Sequence, residues 1–209
     1  MKEYLFAVTA PLSALGVLST RYGDRISAYR KKKLAELRSE QDRKRGLLAE
    51  YCLIEALRLC DPELSLPLTI DTERYGKPFL VGRGEHISLS HAGEYAAAAV
   101  CSKPVGIDIE RTRPIGDALA KRICTEQEYR EVWQRDPREE TFRNLFSAKE
   151  SCVKCSGEGL MALSKVDTLA VTTIRQHVLE PYILSIATEC EMEGEIYRCD
   201  TNGSLVLLS

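Results

Sequence analysis

Val105-Gly106-Ile107-Asp108-Ile109-Glu110 reads as a β-strand. Strand side chains alternate, so Ile107 and Ile109 face one way while Asp108 and Glu110 face the other. The aliphatic pair seats the strand against a core. The two carboxylates then form a hard-oxygen platform of the kind Mg²⁺ takes together with phosphate and water. Taken alone, a half-exposed strand with a solvated acidic face explains the segment better. Its position says more, because it follows the turn Ser102-Lys103-Pro104. Before that turn the chain predicts helices over about 25–37 and 39–60, then short β runs at Leu68-Thr69-Ile70, Ile87 to Ser90 and Tyr95 to Cys101. After it, helical patterns return over 115–135 and 139–156. Strands follow at Leu169 to Thr173, Tyr182 to Thr188, Ile196 to Cys199 and Leu205 to Leu208, with Asn202-Gly203 as a hairpin turn. Helices then strands, twice over, predict an α+β fold of two halves, 1–102 and 103–209.

The composition agrees with a globular protein. Of 209 residues, 44% are apolar and 29% charged, which excludes collagenous, coiled-coil and wholly disordered chains. Lys and Arg number 29 against 31 Asp and Glu, so a globally basic binder of nucleic acid or membrane is disfavoured. The eight cysteines are too sparse for a small secreted disulfide scaffold, and Ala-Val-Cys at 99–101 shows Cys used as a small hydrophobe. Cys152 and Cys155 form a lone CxxC with no second pair or His cluster, which predicts reduced thiols rather than a zinc site. At the N-terminus, Glu3 weakens a positive leader and Pro11 cuts the apolar stretch. That segment is expected to be a first strand, Leu5 to Thr9, followed by a short helix. No apolar run approaches the ~20 residues of a membrane span, and the expected location is cytoplasmic.

The second informative segment is Phe146-Ser147-Ala148-Lys149-Glu150-Ser151-Cys152-Val153-Lys154. On a helix, Phe142, Leu145, Phe146 and Val153 form one apolar stripe, flanked by Glu150 and Lys154 at i and i+4. Lys149 falls in the middle of the stripe, so its ammonium must snorkel outward or meet an anion in a cleft. Ile87-Ser88-Leu89-Ser90-His91 is a strand entering a polar turn, and Tyr75-Gly76-Lys77-Pro78 is a turn that presents a cation. The stretch Tyr29-Arg30-Lys31-Lys32-Lys33, continuing to Arg43-Lys44-Arg45, is either a solvated helix face or a seat for a polyanion. Ser39-x-x-Asp42 resembles a capping box opening the second helix.

Lys77-Pro78, Ser90-His91, Gly106-Ile107-Asp108-Ile109-Glu110 and Phe146-Ser147-Ala148-Lys149-Glu150 with Lys154, in that order, resemble the 4′-phosphopantetheinyl transferase superfamily. The likeness is to its larger, surfactin-synthetase-activating branch, and it spans residues 25–172. It includes Gly157-Glu158-Gly159-Leu160, similar to that branch's Gly-x-Gly-Leu. The resemblance implies two α/β halves in pseudo-twofold arrangement, with coenzyme A in the cleft between them. It implies Mg²⁺-dependent transfer of the phosphopantetheine arm to a serine of an apo acyl or peptidyl carrier protein, releasing 3′,5′-ADP. Matched residue by residue, Asp108, Glu110 and Glu150 resemble the metal ligands, Lys154 the lysine on the pyrophosphate, and Lys149 the Lys of the Lys-Glu pair. Lys77, Pro78, Ser90 and His91 resemble the adenosine 3′-phosphate surroundings, joined by Arg45 and, by looser alignment, Arg30 and Lys33. Phe146 stands where many members have Trp, and both are expected to fill the core. Glu150, or a metal-bound water it orients, is the candidate base, and Glu150, Lys154 and Lys149 are the expected catalytic residues. A monomer with one site per chain is expected, with neither nucleic acid nor membrane as partner. Two other readings are an acidic-partner or nucleic-acid module built on 29–45, and an inactive homologue. The first leaves three carboxylates that would repel a phosphate backbone, and the second ignores that all three and Lys154 are present.

Overall fold

A computed structural model describes residues 3–168, 170–171 and 173–208. The chain opens with strand β1 (Leu5–Pro11), then a 3₁₀ turn over Leu12–Ala14 and helix α1 (Leu15–Tyr22). Helix α2 (Ala28–Glu36) and the long α3 (Glu40–Cys60) follow. Both are opened by serine: the Ser27 and Ser39 hydroxyls accept from the backbone N–H groups of Arg30 and Asp42. The inner face of α3, with Leu48, Leu53, Ile54 and Leu57 fully buried, packs on the sheet. Each such side chain contributes on the order of 1.5–3 kcal/mol.

Strands β2 (Ile70–Thr72) and β3 (Pro78–Leu80) form a small hairpin. Strands β4 (His86–Ala92) and β5 (Tyr95–Cys101) pair antiparallel, with β5 lying between β4 and β1. The Ala96–Ala99 run in β5 is wholly buried, and its small side chains let layers close on both faces. Strand β6 (Val105–Arg111) starts the second half, followed by α4 (Asp117–Ile123), α5 (Glu126–Gln134) and α6 (Arg138–Ser156). Strands β7 (Ile174–Leu179) and β8 (Tyr182–Thr188) complete a three-stranded sheet in the order β6-β8-β7.

Gly106 is the reason α6 can lie directly on β6. A β-carbon there would fall 1.9 Å from the Ser151 carbonyl oxygen and 2.4 Å from the Cys155 nitrogen. Only a residue without a side chain permits that approach. The two sheets meet at β4 and β6, where two serines replace a backbone ladder. Ser88 Oγ accepts from the Ile107 N–H at 3.0 Å, and Ser90 Oγ from the Ile109 N–H at 3.3 Å.

The expected division at Ser102-Lys103-Pro104 needs correction at the tail. Strands β9 (Glu195–Cys199) and β10 (Leu205–Leu207) do not stay with the second half. They extend the first half's sheet, β9 running parallel to β1 with Ala7 opposite Ile196, in the order β10-β9-β1-β5-β4. There both Ile196, packed with Leu5 and Ala7, and Cys199, packed in the first half's core, are fully buried. The strand expected over Leu169 to Thr173 is also displaced. Ala170, Val171 and Thr173 lie outside any strand and β7 begins at Ile174; Leu169 and Thr172 lie outside the described residues. All eight cysteines are free thiols. Among the described residues no helix is long and apolar enough to cross a membrane.

Candidate active site

A single cleft of about 530 Å³ draws its walls from both halves. From the first half come Tyr29, Arg30, the Tyr75-Gly76-Lys77-Pro78 turn, and Ser88 to His91. From the second come Asp108, Glu110, Arg113, Phe146, Glu150, Lys154, Gly157 and Gly159.

At its centre stands Asp108, side chain inward from β6. Its Oδ1 accepts from Lys154 Nζ at 2.7 Å and from Ser90 Oγ at 2.8 Å, and Lys154 also reaches Ser90 Oγ at 3.0 Å. Glu150, one helical turn before Lys154, lies 4.0 Å from that ammonium. The other oxygen of Asp108, Oδ2, is buried with no hydrogen-bond partner among the described residues. A buried carboxylate oxygen left without a donor costs about 1–3 kcal/mol or more, unless something outside the chain meets it.

Charge in this corner is unbalanced. Burial first, then the nearby Asp108 charge, push the Glu110 carboxyl up to about 7, against the pull of Arg113. Glu150 is likewise raised by burial, with Asp108 adding to the shift and Lys154 opposing it. Three carboxylates sharing one lysine are short of positive charge. Hard oxygens, crowding and the orphaned Oδ2 suit a small divalent cation. Among the described residues no three carboxylate, thiol or imidazole groups are already gathered into a ready cage.

The first half adds basic side chains to the cleft, Arg30, Lys77 and His91. His91 keeps much of its surface open, yet the ring is enclosed enough for desolvation to hold it below the usual imidazole range. The charges of Arg45, Arg30 and Lys154 act in the same direction. Lys77 stands on the β2–β3 turn and donates to the Cys155 carbonyl at 2.8 Å, capping the last turn of α6. Burial lowers its ammonium from the usual range.

Three expected site residues lie elsewhere. Lys149 is fully buried on the face of α6 turned from the cleft, 2.8 Å from the equally buried Glu128 of α5, and bonds the Leu163 and Val166 carbonyls. It meets an anion, as the apolar stripe required, but one inside the second half, so its assignment to the catalytic group is corrected. Lys33 is half-exposed and pairs with Glu36. Arg45 is not among the residues that line the cleft; it bonds Asp42 and the Gly93 carbonyl, and its charge lowers His91. Phe146 packs against the second half's helical core, as expected, and also lines the cleft, stacked on Phe142 with Arg113 over its ring. Tyr29 and Tyr75 stand in motifs that the sequence singles out but carry no role there, and Arg113 is not singled out at all. An aromatic or Arg beside a motif was the only signal available, and it is common on any surface.

A profile of the 4′-phosphopantetheinyl transferase superfamily matches residues 104–203, from the start of β6 to the β9–β10 turn. The chain is 32% identical over 163 residues to the 4′-phosphopantetheinyl transferase Sfp of Bacillus subtilis (strain 168), covering 77% of this chain and 72% of that protein. It belongs to the 4′-phosphopantetheinyl transferase superfamily. Other relatives agree: psf-1 of Bacillus pumilus is 33% identical over 57% of this chain and 52% of its own length. The transferase gsp of Aneurinibacillus migulanus is 37% identical over 41% of this chain and 37% of its own length. The superfamily resemblance is thus borne out, and the chain is an enzyme of the phosphopantetheinyl transferase type.

Proposed function

We propose that this transferase moves the 4′-phosphopantetheine arm of coenzyme A onto a serine of an apo acyl or peptidyl carrier protein. The observation that carries the reading is what one cleft gathers: the carboxylates Asp108, Glu110 and Glu150 with Lys154, and the basic side chains Arg30, Lys77 and His91. A pyrophosphate suits the first group and a phosphate monoester the second. The serine oxygen bonds to the pantetheine-bearing phosphorus, the phosphoanhydride bond to the adenosine side breaks, and 3′,5′-ADP leaves with the electron pair. Such transfers depend mostly on positioning and charge stabilisation.

Glu150 takes the serine proton; burial raises its carboxyl from the usual range, the direction that favours accepting one. Lys154 neutralises charge on the leaving pyrophosphate. Asp108, with Glu110 and Glu150, would hold Mg²⁺, whose chemistry there is to offset negative charge on the phosphate oxygens. Ser90 holds both Asp108 and Lys154 in place. The two halves are read as pseudo-twofold mates. The chain closes the cleft on itself, so a cytoplasmic monomer with one site is proposed, and a carrier would dock transiently.

The test incubates the protein with apo-carriers of the fatty-acid, polyketide and nonribosomal-peptide classes, a fluorescent coenzyme A analogue and Mg²⁺. Labelling of at least one carrier is expected, abolished by EDTA and restored by Mg²⁺. No labelling of any carrier would sink the reading. Labelling undiminished in EDTA would remove the metal from it. Sedimentation at micromolar concentration is expected to show a monomer.

A further inference from the structure

Glu50 sits in the middle of α3, wholly buried, although a carboxylate inside a helix that faces a hydrophobic core is costly. Its two oxygens collect three donors from one short stretch. Oε1 accepts from the Ser27 backbone N–H at 2.5 Å, while Oε2 accepts from Ser27 Oγ at 2.9 Å and from Arg30 Nε at 3.3 Å. The Arg30 side chain is only 11% exposed, yet it lines the cleft. One turn before Glu50, Gly46 leaves a notch: a β-carbon there would lie 3.4 Å from Arg30 Nη1 and 3.1 Å from Leu34 Cδ2. The guanidinium is thus held at its stem by Glu50 and slotted over Gly46. Among the described residues its two terminal nitrogens have no hydrogen-bond acceptor.

We propose that Glu50 is a positioning residue: it fixes Arg30 with both terminal nitrogens free, so that they take a phosphate monoester in the fork geometry that guanidinium favours. A guanidinium on an unrestrained stem would lose side-chain entropy on every binding event; here folding has already fixed it. The same carboxylate fixes where α2 begins through Ser27, so the helix carrying Arg30 and its side chain are set by one group. This inference rests on the coenzyme A reading for the identity of the phosphate, which would be the one on the adenosine 3′ oxygen.

The test compares wild type, Glu50→Gln, Arg30→Ala and the double variant, all as the full chain. Calorimetry measures 3′,5′-ADP against AMP, which lacks the 3′-phosphate, and turnover is measured with coenzyme A against dephospho-coenzyme A. Wild type is expected to favour 3′,5′-ADP at least tenfold. Glu50→Gln should lose most of that preference and raise the coenzyme A KM about tenfold, with kcat within about twofold and dephospho-coenzyme A little affected. In the Arg30→Ala background, Glu50→Gln should add almost nothing, because both act through one contact. Arg30→Ala leaves the Ser27 contacts intact, so it keeps the test open should Glu50→Gln fold poorly. If Glu50→Gln retains the full preference for 3′,5′-ADP, or if the two variants add independently, the positioning role is wrong while the transferase reading stands. If wild type shows no preference for the 3′-phosphate, the inference falls. If wild type labels no carrier at all, the functional reading falls separately.

Discussion

Lys149 and Lys154 stand five residues apart on α6 and serve opposite ends. Lys149 is sealed, with neither it nor Glu128 exposed, and ties α6 to α5 and to the carbonyls of Leu163 and Val166. Lys154 keeps 27% of its side chain open and joins Asp108, Ser90 and Glu150 in the cleft. Five residues turn a helix by about 140°, enough to move a side chain from the packed face to the cleft face. A Lys-Glu pair in a motif therefore does not declare a catalytic lysine. What decides is the element packed against each face: α5 brings a carboxylate to one, and β6 to the other.

The strongest challenge to this contrast is Lys149→Met. It strands Glu128 in the interior, and a loss of about 3–5 kcal/mol in unfolding free energy is expected from urea denaturation. Turnover per folded molecule should stay within about twofold. Adding Glu128→Leu should recover most of the stability, since a matched apolar pair removes both desolvation costs. Burial works to raise the Glu128 carboxyl, but Lys149 and the Thr125 and Thr168 groups that donate to it outweigh burial and hold it below its usual range. A depressed acid contributes stability that is present above its unfolded value, about 4.3, and lost as pH falls through the folded one. Wild type should therefore weaken on acidification below about pH 4, more steeply than the double variant. A Lys149→Met protein that is stable but inactive would reverse the roles of the two lysines.

Asp108→Asn comes next. About a hundredfold loss in turnover is expected, roughly 2.7 kcal/mol of barrier, with an unfolding free energy within about 1 kcal/mol of wild type. A stability loss as large as that of Lys149→Met would make Asp108 structural. Lys77→Ala should cost about 1 kcal/mol, seen as a several-fold rise in the coenzyme A KM and a small drop in melting temperature from the lost cap on α6. Smallest of all is Lys33→Ala. Its pairing with Glu36 is exposed, so changes within about 0.5 kcal/mol and an unaltered KM are expected. A tenfold rise in KM would bring Lys33 back to the phosphate.

Local periodicity made some of this legible in the sequence. The bounds of β5 and β8, and the bodies of α3 and α6, follow from runs of apolar residues at one spacing. Strand β7 was not legible, because Arg175, Gln176 and His177 interrupt its alternation at a sheet edge where one face meets solvent. Asp108, Glu110, Glu150 and Lys154 could be read as a group, since their motifs lie on elements that must pack together. Glu128 as the partner of Lys149, the role of Glu50 and the open face of Phe146 could not. Each depends on which neighbour covers a side chain, and that is decided by tertiary placement.

The return of β9 to β1 fixes an order of events during synthesis. The strand that opens the chain cannot gain its second neighbour until residues near Ile196 have been made. Until then β1 carries an unpaired edge beside a nearly complete first half, and such an edge invites pairing with the wrong chain. The contact that finishes the sheet is also among the most distant in sequence, so its loop-closure cost falls late and on the whole molecule. Neither half is therefore a segment that could be cut out, exchanged between relatives or expressed by itself at Ser102-Lys103-Pro104. A working graft of the second half would have to bring β9 and β10 together with a first half whose β1 edge accepts them.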